Sequence, residues 1–99
     1  MSRLNNIRKL QDRTKEFAVS IIRFFSDLPK TDVARTIGRQ LLRSGTSLAA
    51  NYRAACRARS SADFISKISV VLEETDETFF WLELLVHAQV VYQSKCQSL

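Results

Sequence analysis

The stretch that decides the fold is Val33–Cys56, VARTIGRQLLRSGTSLAANYRAAC. A helix turns by about 100° per residue, which places Val33, Ile37, Leu41, Ser44, Leu48, Tyr52 and Ala55 on one face. Beside them Gly38, Gly45, Ala49 and Cys56 form a narrow stripe of small side chains. A glycine inside a helix costs about 1 kcal/mol relative to alanine. Two of them at helical spacing therefore predict the close approach of another backbone. The segment reads as a helix over residues 32–57.

Toward the N-terminus, Ile7, Leu10, Thr14, Phe17, Ala18, Ile21, Phe24, Phe25 and Leu28 fall on one stripe, which predicts an amphipathic helix over residues 4–27. Pro29 ends it, because proline disfavours helical geometry in the preceding residue. Thr31 or Asp32 then caps the next helix by accepting from its free N–H groups.

Toward the C-terminus, Ser60 as N-cap with Asp63 three residues on approximates a capping box. The third helix is expected over residues 61–92, with a core stripe of Phe64, Ile68, Val71, Leu72, Thr75, Phe79, Leu82 and Val86. A second apolar patch, Val70, Trp81, Leu84, Ala88 and Val91, points roughly away from that stripe. A helix apolar on two sides must be covered on both, by a fourth helix or by another subunit, and these five residues are the candidate subunit interface. Residues 93–99 are a stub, too short for a fourth helix. Asn51, at the edge of the apolar face, is expected to fix register between helices by hydrogen bonding.

The chain has 99 residues, of which 45% are apolar, with only two glycines and one proline. That composition fits a single all-α domain spanning residues 1–99 and excludes collagen-like, low-complexity and turn-rich all-β classes. No apolar run approaches the roughly 18 residues of a membrane span. The first residues lack the apolar core of a secretory signal, so a cytoplasmic protein without membrane partners is expected. Cys56 and Cys96 are too few for a disulfide framework and read as reduced thiols.

The inventory for catalysis is nearly empty. His87 is the only histidine, and no His, Cys, Asp or Glu grouping has metal-ligand spacing. Glu73, Glu74, Asp76, Glu77 and Glu83 do not form a di-metal site, since such bundles need an acid and a histidine three residues apart on inward positions. No catalytic residue, cofactor or metal is expected, and the chain is read as a non-enzyme.

Charge is the more informative property. The net charge is +5, distributed as +3 over residues 1–32, +6 over 33–62 and −4 over 63–99. The middle segment holds six arginines and no acid. On the central helix Arg35, Arg39, Arg43, Arg53 and Arg57 share an arc of about 80°, nearly opposite the apolar face, and Arg59 follows just beyond. Guanidinium forks match phosphate oxygens bidentately, so these six residues are the candidate nucleic-acid-binding set. The other reading is a solvated face paired with the acids of the third helix, in the same chain or a neighbouring one. No aromatic side chain is interleaved to stack bases.

Arg43-Ser44-Gly45-Thr46-Ser47-Leu48-Ala49-Ala50-Asn51-Tyr52-Arg53, followed by Arg57-Ala58-Arg59-Ser60-Ser61-Ala62-Asp63-Phe64, resembles a known family. The likeness extends to Phe25-Ser26-Asp27-Leu28-Pro29, to Gln40-Leu41 and to Glu77–Leu85, covering most of residues 17–86. The family consists of small bacterial four-helix bundle proteins first noticed as reading frames inside intervening sequences of 23S ribosomal RNA genes. The resemblance implies an antiparallel up-down bundle assembled into a homo-oligomeric ring, commonly a pentamer, with no established catalytic activity. Accessory proteins of diversity-generating retroelements are similar in fold and bind nucleic acid through a basic surface, which makes RNA or DNA the implied partner. Arg43, Ser47, Asn51, Arg59, Ser60, Asp63 and Phe64 carry over as the bundle motif. Ala54 stands where many members have glutamate, and most of the family's fourth helix is missing after Tyr92.

Overall fold

A computed structural model describes residues 2–99. It contains three long helices and no strand among the described residues: α1 (Arg3–Ser26), α2 (Asp32–Cys56) and α3 (Ser61–His87). Each start is fixed by a hydroxyl accepting from the N–H three residues ahead, which satisfies one of the unpartnered donors of the first turn. Ser2 accepts from Asn5 at 3.2 Å, Thr31 from Ala34 at 3.2 Å and Ser60 from Asp63 at 3.1 Å. The carboxylate of Asp63 pairs forward with Lys67, so the capping box is only half made.

α2 lies in the middle and packs on both α1 and α3. Ile21 and Leu28 of α1, Ala34 and Leu41 of α2, and Leu82 and Leu85 of α3 form one buried cluster. The small-residue stripe does what its spacing predicts. A Cβ built on Gly38 would lie 2.6 Å from Leu28 Cδ1, and one on Gly45 would lie 2.9 Å from Ile21 Cγ2 and 3.3 Å from Ile21 Cβ. Leu28 can rotate its methyl away, whereas the Ile21 atoms sit close to the backbone. Gly45→Ala is therefore expected to destabilise by about 1–3 kcal/mol, and Gly38→Ala by less, because Leu28 Cδ1 and the Phe25 ring, 3.0 Å away, are side-chain ends that can shift and relief of the helix penalty offsets part of the clash. Urea midpoints of the two variants check this.

α3 departs from expectation in two ways. It stops at His87, one turn short of residue 92, without glycine or proline. Gln89 takes a left-handed backbone, φ 61°. The N–H of Val90 donates to Leu85 O at 2.9 Å and that of Gln89 to Val86 O at 3.0 Å, the paired bonds of a Schellman ending. Residues 93–99 make a single 3₁₀ turn at Gln93–Lys95, and Val90, Val91, Cys96 and Leu99 fold back onto the core cluster. A left-handed residue with a Cβ costs roughly 1–2 kcal/mol. Gln89→Gly is expected to raise stability by about 1 kcal/mol in equilibrium unfolding.

The second departure is rotation. The buried positions of α3 are Thr78, Leu82 and Leu85, while Phe64, Leu72 and Phe79 of the expected core stripe are exposed, the last two at 65% and 55%. The face turned inward is displaced by about 60° toward Trp81. Trp81 and Val91 consequently pack against the core cluster as half-buried residues. The candidate interface is thus corrected: it does not point away from the core. Val70 and Leu84 are half-buried flanks, and only Ala88 is open to solvent. Val33, expected in the core face of α2, and Leu10, expected in that of α1, are exposed as well. No helix among the described residues is long and apolar enough to cross a membrane.

Candidate nucleic-acid interface

The arginines of α2 follow from the same helical arithmetic as its core. Once Leu41, Leu48 and Ala55 are buried, residues two turns apart on the opposite side must face water. Arg35, Arg39, Arg53, Arg57 and Arg59 are all exposed. None of these five forms a salt bridge among the described residues, where the ion pairs involve only Arg43 and Lys67.

Arg43 does not belong with them. Its guanidinium reaches across to α3, donating to both carboxylate oxygens of Glu74 at 3.3 Å and to Glu77 Oε1. Glu77 Oε1 also accepts from the indole N–H of Trp81 at 3.1 Å. The bond from Arg43, reinforced by that from Trp81, holds the Glu77 carboxyl below the usual carboxylate range, and the Arg43 guanidinium is raised in turn. A depressed carboxylate pKa adds stability above the ordinary carboxylate range and loses it as pH falls through the folded value. The contribution is small, because Arg43 is 49% exposed and water screens the pair. Next to it, Thr78 Oγ1 donates to Ser44 Oγ at 3.0 Å in the buried seam. Arg43 and Ser44 together set the register of α2 against α3. That role was expected of Asn51, whose amide instead donates to Ser47 O at 2.9 Å and Ser47 Oγ at 3.0 Å within its own helix.

What remains is two pairs, Arg35/Arg39 and Arg53/Arg57, each one helical turn apart and all within an arc of about 40°. From Arg35 to Arg57 the axis runs about 33 Å at 1.5 Å per residue. Between the pairs the surface is uncharged, through Leu42, Thr46, Ala49 and Ala50. At one end the rail borders α1, which brings both a cation, Lys15, and an anion, Asp12. Lys15, Asp12 and Gln11 line a shallow cleft of about 420 Å³ together with Arg53 and Arg57. Lys15 lies on a different helix, outside the arginine arc that spacing along α2 defines. The signal was its place on the flank of α1 that follows when Ile21 meets Gly45.

Two groups that could do chemistry, Tyr52 and Cys96, are held toward their protonated forms. Burial, with a smaller contribution from the Cys56 thiol, pushes the Tyr52 phenol up to about 12, and burial pushes the Cys96 thiol up. Both stay protonated at neutral pH, away from nucleophilic use. His87 is exposed at the end of α3 with no hydrogen-bond partner among the described residues.

A protein of unknown function from the S23 ribosomal protein family of Bacteroides thetaiotaomicron, whose crystal structure was determined at 1.70 Å, is similar to this chain. The two are 40% identical with a TM-score of 0.82, over 89% of this chain and 82% of that one. No curated protein matches the chain. Residues 8–99 match the family described as 23S rRNA-intervening sequence protein, and with nearly the whole length covered by that match, the chain belongs to this family.

Proposed function

We propose that the chain is a non-enzymatic helical bundle protein that binds nucleic-acid phosphates through Arg35, Arg39, Arg53 and Arg57, with Arg59 at the edge, and that it associates with copies of itself. The observation that carries this reading is the contrast along α2. Arg43 is neutralised by Glu74 and Glu77, while four guanidiniums on the same side stay unpaired across a span of about 33 Å. A duplex advances about 3.4 Å per base pair along one strand, so that span matches about ten base pairs. Without interleaved aromatics or a base-reading loop, the contacts are to phosphate and independent of sequence.

Contact order supports an antiparallel up-down arrangement: Gly38 meets Phe25 and Leu28, and Gly45 meets Ile21. Self-association runs through exposed Phe80, stacked edge-on against Trp81 at 5.0 Å. Apolar surface of this kind is worth covering at about 25 cal/mol per Å². A closed ring, with five subunits as in the family the sequence resembles, is the assembly proposed.

A salt titration with duplex DNA of arbitrary sequence tests the reading. Four phosphate contacts predict a slope of log K against log salt near −3.6, falling toward zero when all four arginines become serine with oligomer size unchanged in light scattering. Loss of the oligomer in that variant, without polyanion binding in the parent, would instead assign the arginines to acidic residues of neighbouring subunits.

A further inference from the structure

The cleft at the Arg57 end of the rail holds one group that phosphate binding leaves without a role. The contact of Ile21 with Gly45 brings α1 close to α2, so that Asp12 and Lys15 share a cleft of about 420 Å³ with Arg53 and Arg57. Asp12 lies in the interior of α1 (Arg3–Ser26), clear of its capping positions and its first turn. Asp32, the acid at the other end of the rail, differs: it sits in the first turn of α2, where the helix dipole favours a negative charge. Asp12 is exposed and pairs with none of its cationic neighbours, since the ion pairs among the described residues are those of Arg43 and Lys67. A free carboxylate in a phosphate site repels the anion that the cations attract. That cost is offset only by a ligand that brings a donor, because an ionised carboxylate can only accept.

The sugar–phosphate backbone of DNA offers acceptors alone. That of RNA adds one donor at each sugar, the 2′-hydroxyl. On the basis of the phosphate contacts proposed for α2, we infer that this cleft reads the ribose and so prefers RNA to DNA. Lys15, Arg53 and Arg57 hold a phosphate, and the Asp12 carboxylate accepts from an adjoining 2′-hydroxyl. Gln11 lines the same cleft, and its amide can donate to the hydroxyl oxygen. Base amines also donate to carboxylates. The cleft, however, presents Ala49 and Ala50 and no aromatic side chain on which a base would stack. The ribose hydroxyl is the donor that belongs to the backbone the cations already hold.

Matched duplexes of RNA and of 2′-fluoro RNA are the probe, because fluorine keeps the A-form helix and removes the donor. At one salt concentration, RNA is expected to bind about fivefold more tightly than its 2′-fluoro counterpart, the effect of one net hydrogen bond. Asp12→Ala should bring that ratio to about one, whereas Asp12→Asn, whose amide oxygen still accepts, should keep part of it. Circular-dichroism spectra should not change, since Asp12 is exposed and unpartnered. Serine at Arg53 and Arg57 should erase the ratio. Serine at Arg35 and Arg39 should weaken both duplexes and preserve it. Equal binding of the two duplexes by the parent, with its salt slope intact, overturns the inference and leaves the phosphate reading standing. Failure to bind either duplex removes both. A ratio that survives Asp12→Ala, or that changes with base sequence, also overturns it, the second by giving Asp12 to base amines.

Discussion

Replacing Leu41 with alanine is expected to destabilise the protein by about 2–5 kcal/mol, the range for truncating a fully buried leucine. Leu41 is completely inaccessible and sits on the helix that touches both others, so the cavity would open at the junction of all three. The surroundings have little freedom to collapse into it. Gly38 and Gly45 already hold α1 at the distance where a single added carbon collides with Leu28 or Ile21, and the Ser44–Thr78 hydrogen bond fixes α3. For a domain of this size each kcal/mol moves Tm by roughly 4–8 °C, so a drop of at least about 10 °C is expected in a thermal melt. A change below 3 °C, under about 1 kcal/mol, would mean that α2 is not the common partner of the other two helices.

The second large effect concerns the two arginine pairs. Removing Arg35 and Arg39 together, or Arg53 and Arg57 together, is expected to reduce the salt slope for a 20-base-pair duplex by about 1.8 units each, at about 0.9 per phosphate contact. At low salt each double variant should bind about a hundredfold more weakly, and the two losses should be nearly additive, since the pairs share no neighbours. Length discriminates further. The gap from Arg39 to Arg53 is about 21 Å, so an oligonucleotide of four residues can engage only one pair at a time, and its affinity should fall by no more than about half when either pair is removed. Arg43→Ser should leave the slope unchanged, because its charge is already matched by Glu74 and Glu77.

Local signals were the legible ones. Two helix starts were readable because a hydroxyl stands three residues before the N–H that donates to it, at Thr31 and Ser60. The close approach at Gly38 and Gly45 was readable because glycine has an energetic cost that only packing offsets. The rotation of α3 was not, since that helix carries large apolar residues on every side. Which of them turn inward depends on Ser44 meeting Thr78, 34 positions apart. The end of α3 is not legible for a related reason: Gln89 adopts a backbone normally marked by glycine, held by its local hydrogen bonds and by the packing of Val90 and Leu99 on the core.

The site divides in the same way. The arc of arginines is a property of one helix and could be counted from spacing. The removal of Arg43 from it, and the addition of Lys15, required knowing which faces of α1 and α3 lie beside α2. Asn51 shows the opposite error, a side chain credited with a long-range bond when a local one to Ser47 was within reach.

The central claim is that the guanidiniums of α2 divide into free and paired. Nitrogen-15 spectra of the arginine Nε–H groups, recorded while a short RNA duplex is added, report on each guanidinium separately. The signals of Arg35, Arg39, Arg53 and Arg57 are predicted to move with a common binding curve while that of Arg43 stays in place. Movement of Arg43 equal to that of the other four, or no movement at all at saturating duplex, would contradict the account.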